Sequence, residues 1–99
     1  MVEKISGPEL RALKARAQSL KPMLKVGKDG LSSAFVKAVD DTLKHHDLVK
    51  VKFEEFKEQK KELTPKLAES VSANVIMAVG HVVVLFRRKP ATADDVPEQ

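Results

Sequence analysis

Two apolar runs rich in β-branched residues, Val75–Val79 and Val82–Phe86, constrain the fold of this chain most. Only Gly80 and His81 separate them, which is the spacing of a β-hairpin with a two-residue turn. Because neither run alternates with polar residues, both strands are expected to be covered on both faces. A chain of 99 residues with such a hairpin must therefore supply helices that pack against it.

Two helices are predicted in the first half of the chain. Ser6 and Glu9 have the spacing of a capping box, followed by apolar residues at helical intervals, which predicts a helix over residues 7–19. Ser32 is the expected N-cap of a second helix, which ends near His46. Both helices carry an apolar stripe on one side and charged residues on the other.

A third helix is expected later in the chain, after a charged segment. Residues 54–61 are read as a loop, and Thr64 and Pro65 as the start of the helix, because proline is favoured in a first turn. Asn74, the only asparagine, is expected to end this helix.

Two further strands complete the expected sheet. Met23–Val26 is a short strand, and Leu48–Phe53 alternates apolar residues with Lys50 and Lys52, as in a half-buried strand with a basic outer face. The order α-β-α-β-α-β-β predicts an α/β fold with a mixed four-stranded sheet, arranged in two layers as in α+β domains.

Charge is distributed unevenly along the chain. The net charge is +4, but the last ten residues carry three acids and no base, so residues 1–89 hold all 18 lysines and arginines against 11 acids. We expect residues 1–89 to form one domain and residues 90–99 to form a disordered acidic tail. A basic body suits a polyanionic partner, although charge alone is equally compatible with a surface that only maintains solubility.

Composition excludes several classes of protein. The chain has no cysteine, which excludes disulfides, thiolate metal sites and cysteine nucleophiles. No apolar run approaches the roughly 20 residues of a membrane span, and the first residues lack the apolar stretch of a signal peptide. A cytoplasmic, monomeric protein without membrane contact is expected.

The turn Gly27–Gly30, with Lys28 and Asp29 between its glycines, is the strongest local motif. Glycine allows positive φ and a close approach of another backbone, and the helix that follows offers free N–H groups. A phosphate could bind there, with Lys28 as an added cation. An ordinary strand-to-helix turn would also need glycine, so the motif alone is weak.

Six further basic residues are candidates for a phosphate-binding track around this turn. Lys25 lies just before it, and the two lysines of the second strand project from one face. For any one of them a plain surface position is the commoner explanation, and only their joint placement favours binding. The candidates are Arg11, Lys14, Lys21, Lys25, Lys50 and Lys52.

Catalytic and stacking groups are sparse. There is no Trp or Tyr, and only Phe56, within the charged segment, is a candidate for an exposed ring. His45 and His46 are adjacent, so on a helix they diverge by about 100° and are poorly placed to share a metal. No enzymatic activity, cofactor, metal or small-molecule substrate is predicted, and a binder of this composition should contact backbone and shape rather than individual bases.

Four segments together resemble the CRM domain (chloroplast RNA splicing and ribosome maturation). They are Leu20–Pro22, Val26–Leu31, His46–Lys52 and Gly80–Arg87, in the family's order, and the likeness runs from about Ser6 to Lys89. Phe86 stands where the family more usually has tyrosine, so no contact through that hydroxyl is expected. As a single domain the chain is most similar to the bacterial YhbY-type members.

The resemblance implies a fold similar to the C-terminal domain of bacterial translation initiation factor three, and RNA binding without catalysis. It also implies a precursor of the large ribosomal subunit, hence ribosomal RNA, as the partner, and residues 27–30 as the RNA contact. The alternatives are a protein-interaction module docking on ribosomal proteins or assembly factors, a nuclease and a DNA binder.

Overall fold

A mixed four-stranded sheet forms the centre of the protein in a computed structural model that describes residues 5–88. Its strands are β1 (Leu24–Val26), β2 (Leu48–Phe53), β3 (Asn74–Val79) and β4 (Val82–Phe86), in the spatial order β1-β2-β4-β3. β1 pairs with β2 in parallel, and the other two pairings are antiparallel. The predicted hairpin and mixed sheet are confirmed, whereas the proposed acidic tail, residues 90–99, lies outside the described residues.

Within residues 5–88, three α-helices accompany the sheet: α1 (Gly7–Ser19), α2 (Ser33–His45) and α3 (Lys60–Ser70). The first two begin where the capping signals predict. The Oγ of Ser6 accepts a hydrogen bond from the main-chain N–H of Glu9 at 3.2 Å. Ser32 caps α2 in the same way. Each cap satisfies one of the helix's otherwise unpaired N–H groups, which explains the agreement at these ends.

Helices cover both faces of the sheet. Successive residues of β2 point to opposite sides, so each face presents its own side chains to a helix. Val49, Val51 and Phe53 are buried in a core built with α2 and α3. Leu48 belongs to a second core on the other face, formed with Leu13 of α1. The expected order of elements is therefore confirmed, but the two-layer arrangement is corrected to a sheet flanked on both faces.

The third helix begins earlier than predicted. A single 3₁₀ turn at Lys57–Gln59 leads directly into α3, so most of the expected charged loop is helical. Pro65 consequently lies inside the helix rather than at its start, where it removes one N–H donor from the early turns. The helix ends at Ser70, so the prediction that Asn74 ends it is wrong, and this residue opens β3.

The two apolar strands of the hairpin differ in burial. β4 lies between β2 and β3, and its residues 83–86 are buried, as predicted, while Val82 is half-buried. β3 is an edge strand, and Val75 and Val79 are 41% and 63% exposed, so the expectation of cover on both faces is wrong for β3. Across residues 5–88, no helix is both long enough and apolar enough to span a membrane.

Candidate nucleic-acid interface

The Gly27–Gly30 loop lies at the end of the sheet where β1 and β2 finish and the hairpin turns. The main-chain N–H groups of Glu54 and Glu55 both donate to the oxygen of Val26, at 3.1 and 3.0 Å. The last residue of β2 donates to the main-chain oxygen of His81 at 2.7 Å. These bonds fix the base of the loop against the segments that follow β2 and connect β3 to β4.

The two glycines of the loop have different structural roles. The N–H of Gly30 donates to the oxygen of Gly27 at 3.0 Å, which closes the turn and leaves Lys28 and Asp29 exposed at its tip. Gly30 is buried with φ of +62°, and a Cβ added to it would meet the ring of Phe56 at 3.3 Å. A Cβ on Gly27 would meet nothing within 4 Å. The fold thus requires glycine at position 30 but not, by these criteria, at position 27.

The start of α2 adds a partial positive charge near the loop. Ser32, two residues beyond Gly30, uses its hydroxyl to accept the N–H of Phe35 at 3.1 Å. The next two residues, Ser33 and Ala34, are exposed, and the first turn contains no acidic side chain. An anion at this end would therefore meet the helix dipole without competition from a carboxylate on that turn.

Three of the predicted lysines lie on one face of the sheet, the face that α1 partly covers. Lys25 and Lys52 are directly paired between β1 and β2, and both are exposed. Lys25 is 3.5 Å from the carboxylate of Glu54, in an exposed ion pair of the kind that contributes little free energy. Lys50 is half-buried and donates to the main-chain oxygen of Leu20 at 2.8 Å, so its ammonium group also has a structural role.

The predicted cations of the first helical segment are more widely spaced. Lys21 is exposed immediately after Leu20, and so lies near the sheet lysines. Arg11 and Lys14 are exposed on α1, about 14 and 9 Å along the helix axis from Leu20. The structure thus groups the loop, Lys25 and Lys52 at one end of the sheet and leaves two α1 cations two turns away.

One residue of this surface was absent from the predicted set. Phe56 is 41% exposed and adopts the left-handed conformation with φ of 56°, which is unusual for a bulky side chain. Its ring packs against Gly30 of the loop. The sequence signal was an isolated aromatic residue among charges, which indicated exposure but not its contact with the loop.

An open groove of about 510 Å³ lies between α1 and the β3–β4 hairpin, on the lysine-bearing face. Apolar side chains dominate it, and Lys50 is its charged lining residue. The lining residues are Ala17, Gln18, Lys50, Met77, Val79, Val82 and Val84. Within residues 5–88, no group of three or more His, Asp or Glu side chains is placed to hold a metal ion.

Arginines at the opposite end of the sheet are engaged in ion pairs. Arg16 binds both oxygens of the Asp47 carboxylate, and this hydrogen bonding raises the pKa of Arg16. Arg88 contacts both oxygens of Glu9 at 2.9 and 3.0 Å, and the hydrogen bond holds the pKa of that carboxyl below its usual value. These pairs join the start of β2 and the end of β4 to α1, away from the loop.

Comparison with known proteins decides the family. The family model of the CRS1/YhbY (CRM) domain matches residues 5–87. The chain belongs to this family. The resemblance inferred from the sequence motifs is thus confirmed, and the CRM domain covers all of the helices and strands described above.

Similar proteins come from both archaea and bacteria. A Methanocaldococcus jannaschii protein named "Probable RNA-binding protein" is 42% identical over 87 residues, which cover 85% of this chain and 64% of that relative. The chain therefore spans less than two thirds of the archaeal relative's length. A Haemophilus influenzae protein named "RNA-binding protein" is 26% identical, covering 96% of this chain and 97% of its own length.

A solved structure supports the same fold. The solution structure of a hypothetical Staphylococcus aureus protein, described as a candidate RNA binder, superimposes with a TM-score of 0.74 at 29% identity. The likeness covers 88% of this chain and 92% of the other. The arrangement of helices and sheet is therefore shared across the greater part of both proteins.

Proposed function

We propose that this CRM-family protein binds RNA, and that the Gly27–Gly30 loop together with Lys25 and Lys52 contacts the sugar-phosphate backbone. One observation carries the proposal: the loop and the two paired, exposed lysines share one end of the sheet. The names of the similar archaeal and bacterial proteins support RNA as the partner.

The geometry favours backbone contacts over readout of base edges. Gly27 has open space where a side chain would lie, so a phosphate group could approach the main chain there. Lys28 supplies a mobile cation at the tip, and the acid-free start of α2 lies close by in the chain. Such contacts are electrostatic and independent of sequence, and they position the nucleic acid rather than identify it.

The remaining predicted cations would extend this contact. Lys21 and Lys50 lie near Lys25 and Lys52, and Arg11 and Lys14 would reach a strand that continues along α1. The proposed cellular partner is ribosomal RNA of a large-subunit precursor, bound by a monomer in the cytoplasm during ribosome assembly. This finer assignment rests on the family resemblance.

A salt titration with a matched pair of variants tests the contact surface. For single-stranded RNA, log affinity should fall with log salt by about 0.7 per phosphate contact. Lys28→Ala should weaken binding across RNA sequences and make this slope shallower by about the same amount. Lys66→Ala, which removes an exposed lysine of α3, should change neither quantity. Equal affinities and slopes for the two variants would reject the loop as the contact.

Two further measurements separate the alternative activities. Competition with DNA of equal length tests whether the 2′-hydroxyl contributes to recognition, and labelled RNA incubated with magnesium should remain intact. Crosslinking in cells, followed by sequencing of the attached RNA, should recover large-subunit ribosomal RNA. Recovery of other RNAs would contradict the ribosomal assignment and leave RNA binding standing.

The apolar groove between α1 and the hairpin favours one second candidate, a protein-interaction module. Val79, which lines this groove, is 63% exposed. Exposed apolar surface of this kind is a feature of protein docking sites. Under this alternative, Val79→Ser would abolish association with a ribosomal protein or assembly factor, and that association would survive nuclease treatment and high salt.

A further inference from the structure

The structure adds a second kind of contact to the proposed RNA surface: we infer that Phe56 is a stacking platform for one unpaired nucleobase beside the Gly27–Gly30 loop. This inference rests on the proposed function, because it assigns the base of a nucleotide whose phosphate binds the loop. The ligand of this platform is a single-stranded or flipped-out nucleotide rather than a continuous duplex.

Phe56 is the exposed phenylalanine of this chain. The sequence contains no Trp or Tyr and four phenylalanines, all within the described residues. Phe53 and Phe86 are buried in the two cores, and Phe35 is half-buried against one of them. Phe56 is 41% exposed, so part of its ring surface remains available to a ligand.

The Phe56 ring packs against Gly30, which limits its movement. Three of its carbon atoms would lie 3.3–3.7 Å from a Cβ on Gly30, so the ring occupies space that the glycine leaves free. Its main chain is also fixed, because the oxygen of Phe56 accepts the N–H of Gln59 at 3.0 Å and starts the 3₁₀ turn. A ring positioned before binding loses little conformational freedom when a base stacks on it.

The segment that contains Phe56 has balanced charges, and Phe56 itself is uncharged. Residues 54–61 contain three glutamates and three lysines, so their formal charges cancel. A contribution from Phe56 must therefore come from its π-face, which every base can match. Stacking of this kind tolerates sequence variation, and complements a loop that contacts phosphate.

Tryptophan fluorescence gives a direct test. Because the chain lacks tryptophan, Phe56→Trp introduces a single reporter at the proposed platform. Titration with a single-stranded RNA of about twelve nucleotides should quench its fluorescence, since a stacked base contacts the indole. A strand of the same length with abasic sites carries the same phosphates and should bind with much less quenching. Equal quenching by both strands would overturn the inference.

Affinity measurements separate stacking from an indirect effect on the loop. Phe56→Leu keeps an apolar side chain beside Gly30 but removes the aromatic face. It should weaken binding of the base-bearing strand by about 5- to 150-fold, the range for loss of one stacked base, and leave abasic-strand binding and the salt slope unchanged. Similar weakening on both strands would show that the ring acts only by supporting the loop.

The outcomes also distinguish this inference from the proposed function. If Lys28→Ala weakens RNA binding but Phe56→Leu and Phe56→Ala do not, the phosphate contact stands and the stacking site is rejected. If the unmodified protein binds neither strand, the proposed function itself fails. Thermal unfolding of each variant, compared with the unmodified protein, identifies any loss of affinity caused by unfolding.

Discussion

The ammonium group of Lys50 donates a hydrogen bond to the main-chain oxygen of Leu20 at 2.8 Å, joining β2 to the end of α1. Leu20 is the C-cap residue of α1 and has an extended backbone. Lys50 therefore gives a charged donor to the main-chain oxygen of the residue that directly follows the helix. A lysine predicted from the sequence as a phosphate contact therefore also holds a helix on the sheet.

This bond predicts different effects for two lysines of the same strand face. Lys50→Met keeps much of the apolar stem and removes the ammonium group, so it should lower the free energy of unfolding by about 1–2 kcal/mol. Lys52→Met, at an exposed position, should change it by less than about 0.5 kcal/mol. Urea unfolding measures both values, and equal stabilities would contradict the structural role of Lys50.

Lys52 is expected to contribute to RNA binding rather than to stability. Lys52 is exposed beside Lys25 on the paired strands near the loop. Lys52→Met should therefore lower RNA affinity and reduce the steepness of the salt dependence by about 0.7, as expected for one lost phosphate contact. Titrations at several salt concentrations, with Lys66→Met as the control, measure the slope. An unchanged slope would remove Lys52 from the interface.

Alanine substitutions at the two loop glycines should affect stability and RNA binding differently. Gly30→Ala places a Cβ at positive φ and 3.3 Å from the Phe56 ring, so we expect destabilisation by about 1–2 kcal/mol in urea unfolding. Gly27→Ala meets open space and should leave stability within about 0.5 kcal/mol. Gly27→Ala should nevertheless weaken RNA binding, because its methyl group occupies the surface where a phosphate would approach. Undiminished binding would place the RNA elsewhere.

Local sequence signals predicted the parts of the fold that local interactions determine. Ser6 and Ser32 each cap a helix through a hydrogen bond to an N–H three residues later, so the starts of α1 and α2 could be predicted from sequence. The alternation of β2 identified a strand because Val49, Val51 and Phe53 point to the same core. Neither signal specifies which face of the sheet a helix covers, so the position of α1 required the structure.

Features that depend on tertiary contacts were missed. The charged residues before Thr64 form a 3₁₀ turn and the start of α3, since charged side chains are equally compatible with an exposed helix. The run Val75–Val79 was expected to be covered on both faces, but strand order places β3 at an edge. The contact between Phe56 and Gly30 joins residues 26 positions apart and has no local signature.

Arg87 connects three elements at the end of the sheet away from the loop. It directly follows β4, and its guanidinium donates to the Asp40 carboxylate at 2.6 Å and to the main-chain oxygens of Val71 and Asp40 at 2.9 and 3.1 Å. Arg87→Lys keeps the charge but cannot reproduce the planar fork, so we expect a loss of about 1–3 kcal/mol in the free energy of unfolding. Arg11→Lys, at an exposed position, is the matched control and should be neutral.

The Asp40–Arg87 pair also predicts a pH dependence of stability. The hydrogen bond from Arg87, followed by the charges of Arg87 and Lys44, holds the pKa of Asp40 below its ordinary value of 3.8. The folded protein therefore binds the proton of Asp40 more weakly than the unfolded chain does. The resulting stabilisation is complete well above pH 3.8 and is lost as the pH falls through that value towards the lowered pKa.

Replacing the carboxyl of Asp40 by an amide should make the free energy of unfolding depend less on pH. Asp40→Asn should be less stable than the unmodified protein at pH 7, and the difference should shrink as the pH is lowered below 3.8. Urea unfolding across this range measures it, with Asp41→Asn as a control, since Asp41 lies next in the chain and makes only exposed contacts with lysines. If the free energies of unfolding of Asp40→Asn and the unmodified protein differ by the same amount at every pH, Arg87 does not stabilise the ionised carboxylate.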